Sequence, residues 1–290
     1  MTRDPRSVLR EAGLSPKKSF GQNFLVAESV VRAIAAACVP DAEVGHARVV
    51  EIGAGTGALT AALLDRAKHV VAIERDRDLV PLLARTFEVE IAAGKLTLVE
   101  GDAQTVDYEA LLGEAADDSP RVLCGNLPYQ ITGSLLERAV NSAARLERVV
   151  VMVQEEVADR ILASPGNKIY GALTVFVRAA FDVARVMKVS RGSFHPAPDV
   201  TSAVIRLSPV RPPRALETDT FRRVVKAAFG ARRKTLRNAW SALAPAADVA
   251  RIAESCGVSL DARGETLDVT AFARVASALE IFVRSLPPSA

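Results

Sequence analysis

Along the first two thirds of the chain, short unbroken apolar runs alternate with stretches of helical spacing. RVVEIGAG (48–55) is a β-branched run ending in glycines. GALTAALLDRA (57–67) follows, with Leu59, Leu63 and Leu64 at helical spacing. HVVAIERD (69–76), KLTLVEGD (95–102), RVLCGNLPY (121–129) and ERVVVMVQ (147–154) are further strand candidates. LVPLLARTFEV (79–89) and ITGSLLERAVNSAARL (131–146) read as the helices between them. Strands that are continuously apolar are buried on both faces. Their alternation with helices predicts right-handed βαβ units and an open, mostly parallel sheet.

After residue 154 the pattern changes. YGALTVFVRAAFD (170–182) reads as a helix. RVMKVSRGSF (185–194) and SAVIRLSP (202–209) are strand-like with only FHPAPDVT between them, which predicts an antiparallel pair at the sheet edge. SPVRPPR (208–214) holds three prolines and reads as a linker. Beyond it, 219–290 is helical in pattern. The expected organisation is a basic N-terminal arm (1–27), an α/β domain (28–208) and a small α-helical domain (209–290).

Composition narrows the classes. The chain has 290 residues, 49% hydrophobic and 24% charged, which excludes disordered and low-complexity proteins. Cys38, Cys124 and Cys256, like His46, His69 and His195, are too scattered for a disulfide framework or a metal cluster. No apolar run reaches the roughly 18 residues of a membrane span. The N-terminus has no signal-peptide core. The expectation is a cytoplasmic protein without metal or membrane partner. Charge is more telling by segment than in total, where the net is +3. Residues 41–120 carry 16 acids and 7 bases, whereas 220–247 carry 7 bases and no acid. The arm 1–27 carries 5 bases and 2 acids. An anionic partner touching both ends fits this asymmetry, as does a solvated helix face.

The chemistry gathers at strand ends. Glu51-Ile52-Gly53-Ala54-Gly55-Thr56-Gly57 lies between the first strand and helix of the alternation. Ligands of open parallel sheets bind there, and glycines let backbone approach them closely. The spacing is GxGxG, not the GxGxxG of dinucleotide binders. It suits a nucleoside without phosphates, although a tight turn alone would look the same. Glu74 ends the second strand, where a carboxylate can accept from both ribose hydroxyls. Asp102 ends the third, followed by Ala103, where an acid can accept from an adenine amine. This order of glycine loop, Glu and Asp resembles the Rossmann-like S-adenosylmethionine methyltransferases.

Asn126-Leu127-Pro128-Tyr129 ends the fourth strand. Pro128 stiffens the turn and disfavours a helical Leu127. The Leu127 carbonyl and the Asn126 side-chain carbonyl then offer two adjacent acceptors for the hydrogens of one exocyclic amine, and Tyr129 offers a flat face for a base. Phe194, in the proline-rich loop FHPAPDVTS, is the candidate for the opposite face of that base. The turn resembles that of amino-group methyltransferases acting on adenine.

Together with KKSFGQNFL (17–25), QEEVADRI (154–161), FHPAPDVTSAVIRL (194–207), AAFGARRKTLRN (227–238) and ARGETL (262–267), these motifs resemble the ribosomal RNA adenine N6,N6-dimethyltransferase family. The last two look like its small-subunit branch, the kasugamycin-resistance dimethyladenosine transferases. The resemblance implies a Rossmann-like methyltransferase sheet with a small C-terminal helical domain, using S-adenosyl-L-methionine. It implies dimethylation of two adjacent adenines in the 3′-terminal hairpin of small-subunit rRNA during ribosome biogenesis, by a monomer. It implies a cofactor site of Gln22, Asn23, Leu25, Gly53, Gly55, Gly57, Glu74, Asp102, Ala103 and Asn126. The catalytic set is then Asn126, Leu127, Pro128, Tyr129 and Phe194. Lys17, Lys18, Arg222, Lys226, Arg232, Arg233, Lys234 and Arg237 are the candidate RNA contacts, with Arg222, Lys226, Arg233 and Arg237 forming one stripe if a single helix runs through them. Gln130, Gly133, Asp199 and Thr201 stand where relatives more often carry other residues.

Three alternatives remain. A large-subunit rRNA methyltransferase of the macrolide-resistance type would lack the two C-terminal motifs. A DNA adenine methyltransferase usually carries an acidic turn and a recognition domain. A ribosome-assembly factor that binds nucleic acid without catalysis would not need the intact turn.

Overall fold

The computed structural model describes residues 4–114, 117–230 and 233–285. Nine strands occur among them: β1 (Phe24–Leu25), β2 (Arg48–Ile52), β3 (His69–Glu74), β4 (Leu96–Glu100), β5 (Arg121–Asn126), β6 (Arg148–Gln154), β7 (Phe181–Val189), β8 (Phe194–His195) and β9 (Ser202–Pro209). Seven form one sheet in the order β4-β3-β2-β5-β6-β9-β7. Neighbours from β4 through β6 run parallel, and β9 joins β6 antiparallel. The fold is the expected mostly parallel sheet with an antiparallel edge. Strand order reverses between β2 and β5, so the loops after these strands splay apart and leave a crevice beyond their carboxyl ends.

Burial explains the strands. Val49, Val50, Val70, Ala72, Val122, Cys124, Val149 and Val150 are all buried. Their alternate side chains point to opposite faces, and both faces are covered. The helix Glu28–Cys38 lays Val30, Val31, Ile34, Ala35 and Cys38 into the core, and the helix Ala58–Leu64 adds Leu59 and Leu63.

The chain separates into two compact units. One holds the sheet and takes in Val183–Pro209. The other combines Asp159–Asp182 with the chain from Val210 onward. The expectation from pattern had a single boundary at 208/209. The difference lies in the helix Ala172–Ala180, whose Val175 and Ala179 share a core with Phe221, Val225, Trp240 and Phe272 rather than with the sheet. Trp240 anchors this second core, its indole N–H donating to the Val224 carbonyl at 3.0 Å.

The N-terminal arm is structured. A helix spans Pro5–Glu11, capped by Asp4. β1 then pairs antiparallel with β8, Leu25 opposite Phe194 and Phe24 opposite His195. So short a pair leaves no periodic signal in the sequence.

Candidate active site

The crevice at the strand-order reversal is a cavity of about 170 Å³. Its walls come from the arm (Ser19–Leu25), the glycine loop, the ends of β3 and β4, and the turn after β5. All these residues belong to the sheet unit.

The glycine loop is built around positive φ at Gly53 (74°), Gly55 (61°) and Gly57 (83°). The Gly53 and Ala54 amides donate to the Ile73 carbonyl. The Gly55 amide donates to Glu74 Oε2 at 2.7 Å, and the Asp76 amide to Glu74 Oε1 at 2.8 Å. The Arg75 amide also reaches this carboxylate, which is thus held by backbone donors at the mouth of the glycine loop. Burial pushes Glu74 upward in pKa, and these amides pull the other way. Glu51 lies deeper, 1% exposed, with Thr60 Oγ1 donating to its Oε2 at 2.6 Å. Burial raises its pKa to about 7, against the Thr60 bond and with help from the Glu74 charge. Asp102, at the end of β4, caps the next turn through the Gln104 amide at 2.9 Å and faces Arg75 at 3.4 Å.

The arm is held over the cavity by charge. Lys17 Nζ reaches Asp76 at 2.5 Å and Asp78 at 2.6 Å, while Gln22 Nε2 donates to Asp76 at 2.7 Å. Desolvation raises the pKa of Asp76, but the Lys17, Asp78-amide and Gln22 hydrogen bonds outweigh it and hold the carboxyl below its usual range. Phe20 lies under the guanidinium of Arg75, 5.0 Å from its ring centroid.

The Asn126–Tyr129 turn faces the arm. Asn126 Nδ2 donates to the Asn23 carbonyl at 3.0 Å, which orients the amide and leaves Oδ1 as its acceptor end. The Leu127 amide donates to the Met152 carbonyl at 3.0 Å, fixing the turn to β6. Among the described residues, no group donates to Asn126 Oδ1 or to the Leu127 carbonyl. Consecutive residues of the turn thus each carry an acceptor oxygen without a donor among the described residues.

The cavity thus brings together Gln22, Asn23, Leu25, Gly53, Gly55, Glu74, Asp102, Ala103 and Asn126 through Tyr129. Two expected residues stand outside it. Gly57 does not line it: a Cβ there would lie 2.5 Å from Phe87, so the position serves packing and left-handed backbone. Phe194 is 3% exposed and belongs to the core cluster with Leu25, Ile34 and Met152. Glu51, Phe20 and Arg75 line the cavity without having been expected as ligands. Only the position of Glu51 before the glycine loop could have signalled it.

The basic candidates divide as well. Lys17 is engaged by the two aspartates and anchors the arm rather than facing a phosphate. Lys18, Lys226, Arg233 and Lys234 are exposed. Arg222 pairs with Glu217 and Arg237 with Asp261. The helix Asp219–Gly230 ends before Arg233, and the next begins at Leu236, so the expected continuous stripe is broken. Arg232 lies outside the described residues.

Residues 13–280 match the family model of the ribosomal RNA adenine dimethylases. The chain belongs to that family. It is 44% identical to a ribosomal RNA small subunit methyltransferase A from Magnetococcus marinus, over 93% of this chain and 94% of the relative. A protein of the same description from Pelotomaculum thermopropionicum is 42% identical over the same shares. Among solved structures, a dimethyladenosine transferase from Plasmodium falciparum superposes with a TM-score of 0.72 at 25% identity, covering 87% of this chain and 95% of that one. The 23S rRNA methyltransferase ErmE gives 0.63 at 24% identity, covering 89% of this chain and all of that one. The dimethylase fold is therefore shared with a large-subunit enzyme, and fold alone does not separate the two substrates.

Proposed function

We infer that this dimethylase transfers methyl groups from S-adenosylmethionine to N6 of two adjacent adenines in the 3′-terminal hairpin loop of small-subunit (16S) rRNA, during ribosome biogenesis. The observation that carries the reading is the acceptor pair on the turn after β5. Asn126 spends its amide nitrogen on Asn23, which leaves its carbonyl oxygen, like the carbonyl of the adjoining Leu127, without a donor among the described residues.

The cavity suits the cofactor. Its aliphatic walls include Leu25, Ile34, Leu59 and Met152, and its polar groups sit at the strand ends. Glu74, at the end of β3, can take the ribose hydroxyls, and Asp102 with Ala103 the adenine. Gly53 and Gly55 let the backbone lie against the methionine portion, and Gln22, Asn23 and Leu25 close the arm over it. When bound, S-adenosylmethionine supplies a methyl group on a sulfonium.

The turn acts on the other reactant. The lone pair of an adenine N6 is delocalised into the ring and attacks poorly. Asn126 Oδ1 and the Leu127 carbonyl would accept its two hydrogens and hold them out of the ring plane, which localises the lone pair toward the methyl group; as the nitrogen–carbon bond forms the sulfur–carbon bond breaks to leave a thioether, and the methylated nitrogen gives up one proton to solvent. The ring of Tyr129 supports the base. The acceptors are fixed before the substrate arrives, so little reorganisation is left for the transition state. Unstacked loop bases suit such a site. The exposed Lys18, Lys226, Arg233 and Lys234 supply phosphate contacts, which position RNA without reading sequence.

Methyl transfer to small subunits lacking dimethyladenosine, compared with large subunits and naked rRNA, tests the reading. Labelling of small subunits at two adjacent adenines is expected. Labelling of large subunits alone would overturn it in favour of the macrolide-resistance type, and labelling of none in favour of a non-catalytic factor.

A further inference from the structure

The loop between β8 and β9 loses its expected part in the cavity, since Phe194 faces the core. Its far end nevertheless touches the catalytic turn. Ser202 begins β9, fully buried, and stands opposite Gln154 in the antiparallel ladder with β6. Its Oγ lies 3.2 Å from the hydroxyl of Tyr129. The Tyr129 ring therefore reaches from the end of β5 past β6 to the first residue of β9. It is held at both ends, by its backbone on the turn and by its hydroxyl on the sheet.

Ser202 is itself fixed by its neighbour. The Thr201 carbonyl accepts from the Glu155 amide at 3.0 Å, and Thr201 Oγ1 donates to Glu155 Oε2 at 2.5 Å. The other oxygen of Glu155 meets Lys188 at 2.5 Å and Arg185 at 3.5 Å, both on β7. The entry to β9 is thus clamped onto the carboxyl end of β6 by a carboxylate that two cations keep in place. A hydroxyl mounted on such a clamp has a defined position, which a loop hydroxyl otherwise lacks.

We propose that Ser202 is a positioning residue for catalysis: it sets the orientation of the Tyr129 ring against which the substrate base rests. The proposal rests on the methyl-transfer reading above. It makes the phenol hydroxyl a strut rather than an acid or base.

A double-mutant cycle tests it. Ser202→Ala removes the hydroxyl with almost no change in packing, and Tyr129→Phe removes the other partner while keeping the ring. Each is expected to lower kcat on small subunits about tenfold, the loss of one neutral hydrogen bond read out in the transition state. Donor affinity by calorimetry should stay at the wild-type value, and the unfolding midpoint should fall by no more than the loss of one buried hydrogen bond accounts for. The double variant should be no slower than either single one, because both remove the same bond. Wild-type kcat in Ser202→Ala, or losses that multiply in the double variant, would overturn the proposal. A wild-type enzyme inactive on small subunits would instead overturn the methyl-transfer reading.

Discussion

Glu51 is a carboxylic acid in the floor of the cavity with one hydroxyl partner and almost no solvent. Burial lifts its pKa from the ordinary 4.5 to about 7. Between these two values the unfolded chain loses the proton while the folded protein keeps it. The unfolded state then binds fewer protons, so stability falls as pH rises through this window and levels off above it. The full cost is on the order of 3 kcal/mol. Glu51→Gln keeps an oxygen for Thr60 and cannot ionise. Its melting temperature should match wild type near pH 4.5 and exceed it by a margin that grows up to about pH 7. A margin independent of pH would show that Glu51 is already charged in the folded protein.

At the scale of elements, the glycine loop joins two tasks that its sequence does not separate. Gly53 and Gly55 line the cavity, whereas Gly57 lets the following helix pack against Phe87 and Leu83. Gly57→Ala forces a side chain into left-handed backbone and into the Phe87 ring. It should cost roughly 2–4 kcal/mol of stability in urea unfolding. A variant of wild-type stability would mean the helix shifts freely and the glycine is there for the ligand. The strands, the strand ends and the turn after β5 were legible because each is a local pattern: continuous apolar runs, then a Gly, Glu, Asp or Asn at a fixed place. What could not be read was set by tertiary pairing. Phe194 sits in a motif that points to a base platform, yet it is 3% exposed and packs in the sheet unit's core cluster. Lys17 counts as a basic residue until Asp76 and Asp78 meet it across the fold. The Ser202–Tyr129 contact joins residues on β9 and the β5 turn, which no spacing in the sequence connects.

For the whole molecule, charge and contact have to act together. The basic stretch 220–247 is not one helical stripe, since Arg233 stands in a turn between the helix Asp219–Gly230 and the helix Leu236–Ala239. Arg233 and Lys234 beyond it are exposed, and neither has an ion-pair partner among the described residues. Phosphate contacts give affinity that salt weakens. Arg233→Glu with Lys234→Glu should therefore raise KM for small subunits and reduce the slope of log affinity against log salt by about 1 to 2. Donor affinity should not move. An unchanged KM and slope would mean that the RNA is held by the arm and the crevice instead.

The central claim is that the Asn126–Leu127 acceptor pair works on the substrate amine in the transition state. Single-turnover methylation of saturating unmethylated small subunits by wild type and Asn126→Ala, with donor affinity measured alongside by calorimetry, tests it most directly. An interaction made only in the transition state lowers the rate without an equal loss of binding. The account predicts a rate at least about a hundredfold lower, the scale of one preorganised hydrogen-bonding group, with donor affinity far less affected. A near wild-type rate, or a loss carried entirely by donor affinity, would contradict it.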